Sequence, residues 1–172
     1  MRLIWLVGPP GAGKTTFVRN HVIPSVEFDH MLQPLIAPWN LERGVLKAHG
    51  HLIKVIRSIC HQPKSHLPSE LIVVAGSVKE SDLFPLEEGE EVWLMLPNSK
   101  RWMSQLSNRP EIINGIPQHT NLAYATEMYE YFQNWVNRLE IVVIDSNYYP
   151  ELIGCVPEEI TGHYVIKRSI NK

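Results

Sequence analysis

The stretch Gly8-Pro9-Pro10-Gly11-Ala12-Gly13-Lys14-Thr15 constrains this chain more than any other. It fits the pattern G-x-x-x-x-G-K-[ST], with the apolar run Leu3–Val7 before it and helical character from Gly13 to His21, stopped before Pro24. A strand that passes through such a loop into a helix is built to wrap an anion. Glycines let the backbone turn so that successive N–H groups point inward, and the helix N-terminus adds partial positive charge. Gly8, Gly11, Ala12 and Gly13, with Thr16 beside them, are therefore candidate contacts to a nucleoside triphosphate. Lys14 places a point charge on the β- and γ-phosphates, and the Thr15 hydroxyl is a candidate ligand to Mg2+.

The runs Leu3–Val7, Leu71–Ala75, Val92–Leu96 and Ile141–Ile144 are continuously apolar, which predicts strands buried on both faces of a parallel sheet. A shorter strand is expected around Val26–Phe28. A long helix follows Asn40, with Leu41, Val45, Ala48, Leu52, Ile56 and Ile59 on one face, and another follows Thr120 or Asn121. Strands alternating with helices predict an α/β fold with right-handed crossovers. The acidic stretch Gly76–Glu91 reads as a solvated connection with one helical turn after Ser77.

With 172 residues, 44% of them hydrophobic, the chain is expected to form a single domain over 1–172. No apolar run approaches the roughly 20 residues of a membrane span, and Leu3–Val7 leads into glycines and prolines instead of a cleavage site. Two distant cysteines, Cys60 and Cys155, suit a reducing cytoplasmic setting. Sixteen basic against 18 acidic residues argue against a general nucleic-acid binder.

The loop, on a strand that begins the chain, resembles the small P-loop kinases of the nucleoside monophosphate kinase type. That group includes shikimate and gluconate kinases and the kinase domains of polynucleotide kinases. The resemblance implies a P-loop NTPase three-layer α/β/α sandwich, with a mostly parallel five-stranded sheet and a short lid at residues 108–121. It implies ATP as phosphoryl donor, Mg2+ as cofactor, and a small-molecule or nucleotide acceptor. It also implies an acceptor-side carboxylate at the end of the second strand, which orients the attacking hydroxyl. Asp29 in Val26-Glu27-Phe28-Asp29-His30 takes that position, with Glu27 or His30 as alternatives and a helix cap as the structural one. Arginines are implied on a helix and lid after the fourth strand, where guanidinium groups stabilise charge on the phosphoryl oxygens. Arg101 and Arg109 fit, and their spacing puts them on roughly one side of a continuous helix.

The third strand departs from much of the group. Many P-loop proteins end it with an Asp that holds Mg2+ through water, whereas Leu71–Ala75 runs into Gly76-Ser77, similar to the serine of gluconate kinases. Asp82 or Glu80 is the nearest substitute. Asp145, after Ile141–Ile144, shapes an adenine pocket if that run is the fifth strand, or ligates Mg2+ if the strand order is unusual.

Other constellations are weaker. His49 and His51 lie two apart on a predicted helix and so point to different faces, which is not a metal pair. Trp39, Trp102, Tyr148 and Tyr149 either stack on a base or acceptor or serve packing. Lys47, Lys54, Arg57 and Lys64 are the residues that would line a groove if a nucleic-acid end were the substrate. The loop and the resemblance together imply ATP-dependent phosphoryl transfer, with Lys14, Asp29, Arg101 and Arg109 as catalytic candidates. The competing reading is an ATP- or GTP-binding or hydrolysing module that acts through a partner, without a phosphoryl acceptor.

Overall fold

The structure, a computed structural model, describes residues 1–36, 41–62, 67–76, 78–108, 112–113, 116–117, 121–138, 142–143 and 163–166. Strand β1 (Arg2–Val7) leads through the glycine-rich loop to helix α1 (Lys14–Arg19). There follow β2 (Ser25–Glu27), α2 (Phe28–Ile36), α3 (Leu41–Cys60), β3 (Glu70–Val74), α4 (Glu80–Leu83), β4 (Glu90–Met95) and α5 (Ser99–Ser107). The chain continues with β5 (Ile112–Ile113), β6 (Ile116–Pro117), α6 (Leu122–Arg138), β7 (Val142–Val143) and β8 (His163–Ile166).

Six strands form one sheet in the order β2-β3-β1-β4-β8-β7. β1 pairs in parallel with β3 and β4, and β2 in parallel with β3. The predicted five-stranded sheet needs correction at this side. β8 pairs antiparallel with β4, and β7 antiparallel with β8. The strand expected at Ile141–Ile144 therefore runs in the direction of β1 to β4, but β8 separates it from them.

Alternation along the buried strands feeds two cores. Leu3, Trp5 and Val7 join Val73, Val92 and Leu94 on one face, packed with Phe28 and Leu32 of α2, Leu52, Ile53 and Ile56 of α3, and Phe132 and Trp135 of α6. Ile4 and Leu6 join Ile72, Val74, Trp93 and Met95 on the other, under Phe17 and Val18 of α1. Helices on both faces account for the near-continuous apolar strands. Full burial of such side chains stabilises by about 1.5–3 kcal/mol each. The face predicted for α3 holds at Leu52 and Ile56, while Ile59 is exposed.

The Gly76–Glu91 stretch is not a solvated connection. Val78, Leu83 and Leu86 are buried, α4 supplies the expected helical turn, and the Glu90 carboxylate is held in the interior. Arg57 of α3 grips that carboxylate at both oxygens, Nε to Oε1 and Nη2 to Oε2 at 2.8 Å each, and donates to the Leu83 carbonyl at 2.7 Å. Arg57 is thereby withdrawn from the basic groove considered for nucleic acid. At the same ends of the strands, Arg2 bridges Glu70 at 2.6 Å and Glu91 at 2.7 Å. The Glu91 hydrogen bond above all holds its guanidinium above the usual range. No described helix is long and apolar enough to cross a membrane.

Candidate functional site

The carboxyl ends of β1 and β3 meet at the point where the chain switches sides of the sheet, the usual place for a ligand in an open α/β sheet. Gly8 leaves β1 with φ 149°, and a Cβ there would collide with the Met95 carbonyl of β4, so only glycine fits. The loop closes through Ala12 N–H donating to the Pro9 carbonyl at 3.2 Å, and α1 begins after Gly13, whose φ is 91°. The Lys14 ammonium donates to the carbonyls of Gly8 at 2.7 Å and Pro9 at 3.0 Å, which folds it over the loop. Gly76, at the end of β3, leaves room for this. A Cβ there would stand 3.3 Å from Lys14 Cε and Nζ.

Thr15 Oγ1 donates to Glu27 Oε1 at 2.9 Å. The carboxylate beside the candidate metal-binding hydroxyl thus comes from the end of β2. Asp82, considered as a substitute after β3, does not take that place: its Oδ2 accepts from the Lys79 N–H at 3.1 Å and caps α4, while the Glu80 side chain lies outside what the structure describes. Among the described residues no three His, Cys, Asp or Glu side chains gather into a metal site. Thr15 and Glu27 offer instead a pair of hard oxygens. That fits Mg2+, which binds through one or two protein oxygens and fills its shell with phosphate and water, and does not fit zinc.

Asp29 stands in the first turn of α2, exposed, two residues beyond Glu27. Thr16 is exposed on α1 and Ala12 is buried in the core beneath the loop. Arg101 lies on α5, its N–H donating to the Asn98 side chain that caps the helix at 2.8 Å. The expectation that Arg101 and Arg109 share one helix face does not hold, because α5 ends at Ser107 with Asn108 as its C-cap. Arg109, Ser77, Asp145, Trp39, Tyr148 and Tyr149 lie outside the described residues. The segment 108–121, expected to form a lid, contains the small antiparallel pair β5–β6, with Ile112 opposite Pro117.

Sequence reasoning missed how α5 covers the loop. Trp102 Nε1 donates to the Pro10 carbonyl at 2.7 Å, and Leu106 packs where a Cβ on Gly11 would stand. Trp102 also stacks on Tyr129 of α6 at 4.4 Å between ring centroids, and the Tyr129 hydroxyl donates to the Pro97 carbonyl at 2.7 Å. Trp102 therefore belongs to packing, one of the two roles open to it from sequence. Its indole N–H, which a buried tryptophan usually pairs, was the available signal.

No family model matches this chain, and no curated protein matches it either. The chain is similar to the unliganded crystal structure of a sugar kinase from Janibacter sp. HTCC2649, at 12% identity and a TM-score of 0.43, over 80% of this chain and 95% of that one.

Proposed function

We propose that the chain is an ATP- and Mg2+-dependent phosphotransferase of the P-loop kinase kind. The observation that carries the reading is the Gly8–Thr15 loop with Lys14 folded over it and Thr15 paired to Glu27. Inward backbone N–H groups and the α1 N-terminus bind the triphosphate. Thr15 and Glu27 would hold Mg2+, which supplies neutralisation of charge on the transferring phosphoryl group. Lys14 exchanges its carbonyl partners for phosphate oxygens. Asp29 orients the acceptor hydroxyl, and Arg101, with Arg109 of the lid segment, stabilises charge on the transferring group. Most of the rate enhancement is positioning, with lid closure excluding water.

The test combines titration calorimetry of ATP with an acceptor-stimulated ATP-consumption assay. Lys14→Met is expected to weaken ATP binding by at least tenfold. Glu27→Gln is expected to abolish most of the gain in ATP affinity that Mg2+ confers, while affinity without Mg2+ stays within twofold. ATP turnover indifferent to every acceptor would favour a nucleotide-hydrolysing module acting through a partner. No ATP binding at all would overturn both.

A further inference from the structure

Helix α5 lies over the glycine-rich loop with one polar side chain turned toward it. Trp102, Gln105 and Leu106 stand at a spacing that puts them on a single helix face. Packing accounts for two of the three. Trp102 bonds the Pro10 carbonyl at 2.7 Å, and Leu106 crowds Gly11, its Cδ1 3.1 Å from where a Cβ would stand. Gln105, between them, is half-buried and reaches the next glycine of the loop. Its Nε2 lies 3.9 Å from the position of a Cβ on Gly13, and among the described residues the other atom as near is the apolar Met95 Cε. Gly13 thus differs from Gly8 and Gly11, whose neighbours crowd that position: the space beside it is open, and a carboxamide borders it.

Packing does not explain this carboxamide. Its Oε1 is sealed from solvent and accepts no hydrogen bond among the described residues. Leaving an acceptor in that condition is unfavourable, and a leucine or methionine would fill the position without the cost. Because the oxygen takes no partner, no donor on the protein fixes which end of the amide faces the loop. A bound anion would fix it. Ionised phosphate oxygens only accept hydrogen bonds, so they repel Oε1 and draw the protons of Nε2. The place is the right one for such an anion. Gly13 directly precedes Lys14, whose ammonium is held on the Gly8 and Pro9 carbonyls of the same loop. Lys14 brings charge from α1, whereas Gln105 brings a neutral, directional donor from α5, one turn beyond Arg101.

We propose that Gln105 is a phosphate-binding residue: Nε2 donates to a phosphate oxygen of the nucleotide held in the Gly8–Thr15 loop. The proposal rests on the reading of that loop as a triphosphate cradle and adds to it a contact from α5. Titration calorimetry of the full-length protein with ATP and with inorganic tripolyphosphate tests it, on the parent, Gln105→Leu and Gln105→Glu. Gln105→Leu is expected to weaken both ligands about tenfold, the loss of one hydrogen bond to a charged acceptor. Gln105→Glu sets a carboxylate beside the phosphates and is expected to weaken both further. Without ligand, the thermal midpoint of Gln105→Leu is expected to equal or exceed that of the parent, since the variant sheds an unpartnered buried oxygen. By NMR of isotopically labelled parent protein, the Gln105 side-chain amide signal, assigned by its absence from Gln105→Leu, is expected to shift on addition of tripolyphosphate. Affinities of Gln105→Leu within about twofold of the parent overturn the inference. So does a loss seen with ATP but not with tripolyphosphate, which assigns the residue to the nucleoside, or a lowered midpoint, which assigns it to packing. Binding of tripolyphosphate that depends on Gln105, with no acceptor-stimulated ATP consumption, would uphold the contact and sink the phosphotransferase reading. A parent that binds neither ligand overturns both.

Discussion

A histidine held neutral in a protein interior ties stability to acidity. His49 packs on Phe28, and its burial, opposed by the Asp82 and Asp29 carboxylates and aided by the Lys79 ammonium, displaces it below the ordinary value of 6.5. The unfolded chain therefore binds a proton here more readily than the folded one. The sign follows: stability from this residue is present above pH 6.5 and is lost as the pH falls below it. The thermal midpoint of the parent is expected to drop more steeply from pH 7.5 to 5.5 than that of His49→Leu. Parallel pH profiles would show that His49 protonates freely in the fold. At this scale the sequence was legible where the chemistry is local. Lys14 and Thr15 are fixed by adjacent glycines, and the opposite faces of His49 and His51 follow from helical spacing, since His49 is buried and His51 exposed. Glu27 stood only as an alternative, because its meeting with Thr15 depends on where β2 ends beside β3, with Glu27 opposite Val74.

Between elements, the strongest polar tie is the Arg57–Glu90 pair, which fastens α3 to the start of β4. The Glu90 side chain is only 1% exposed, so removing its partner leaves a buried charge uncompensated. Arg57→Met is expected to lower the unfolding free energy by about 3 kcal/mol, read from urea denaturation. Adding Glu90→Gln should recover a substantial part, and no recovery would mean that the loss comes from the Leu83 and packing contacts instead. The strands were legible because burial on both faces leaves long apolar runs. Helix α2 was not, since Pro34 inside it reads as a helix break. The acidic stretch before β4 misled for a related reason. Charge suggests solvent, whereas Glu90 is paired across the fold by a residue 33 positions away.

For the whole molecule, the order of the sheet is what composition and periodicity could not supply. Four parallel strands and helices α1, α3 and α6 followed from the pattern, but β8 is four residues, His163–Ile166, too short to announce a strand. Its position makes it a keystone between β4 and β7, paired on both sides. A proline in a central strand removes a ladder hydrogen bond. Val165→Pro is therefore expected to detach β7 and bare the edge of β4, seen as concentration-dependent light scattering and a lowered thermal midpoint; an unchanged midpoint would show that the sheet closes without β8. The same placement bears on how the protein is made. During synthesis β7 emerges before β8, yet it has no place in the sheet until β8 has bound β4. Over that interval β4 is an open edge beside an assembled glycine-rich loop, a moment when a nascent chain is exposed to pairing with its neighbours. The loop can thus be complete well before the molecule is, and the sheet is closed last at β8.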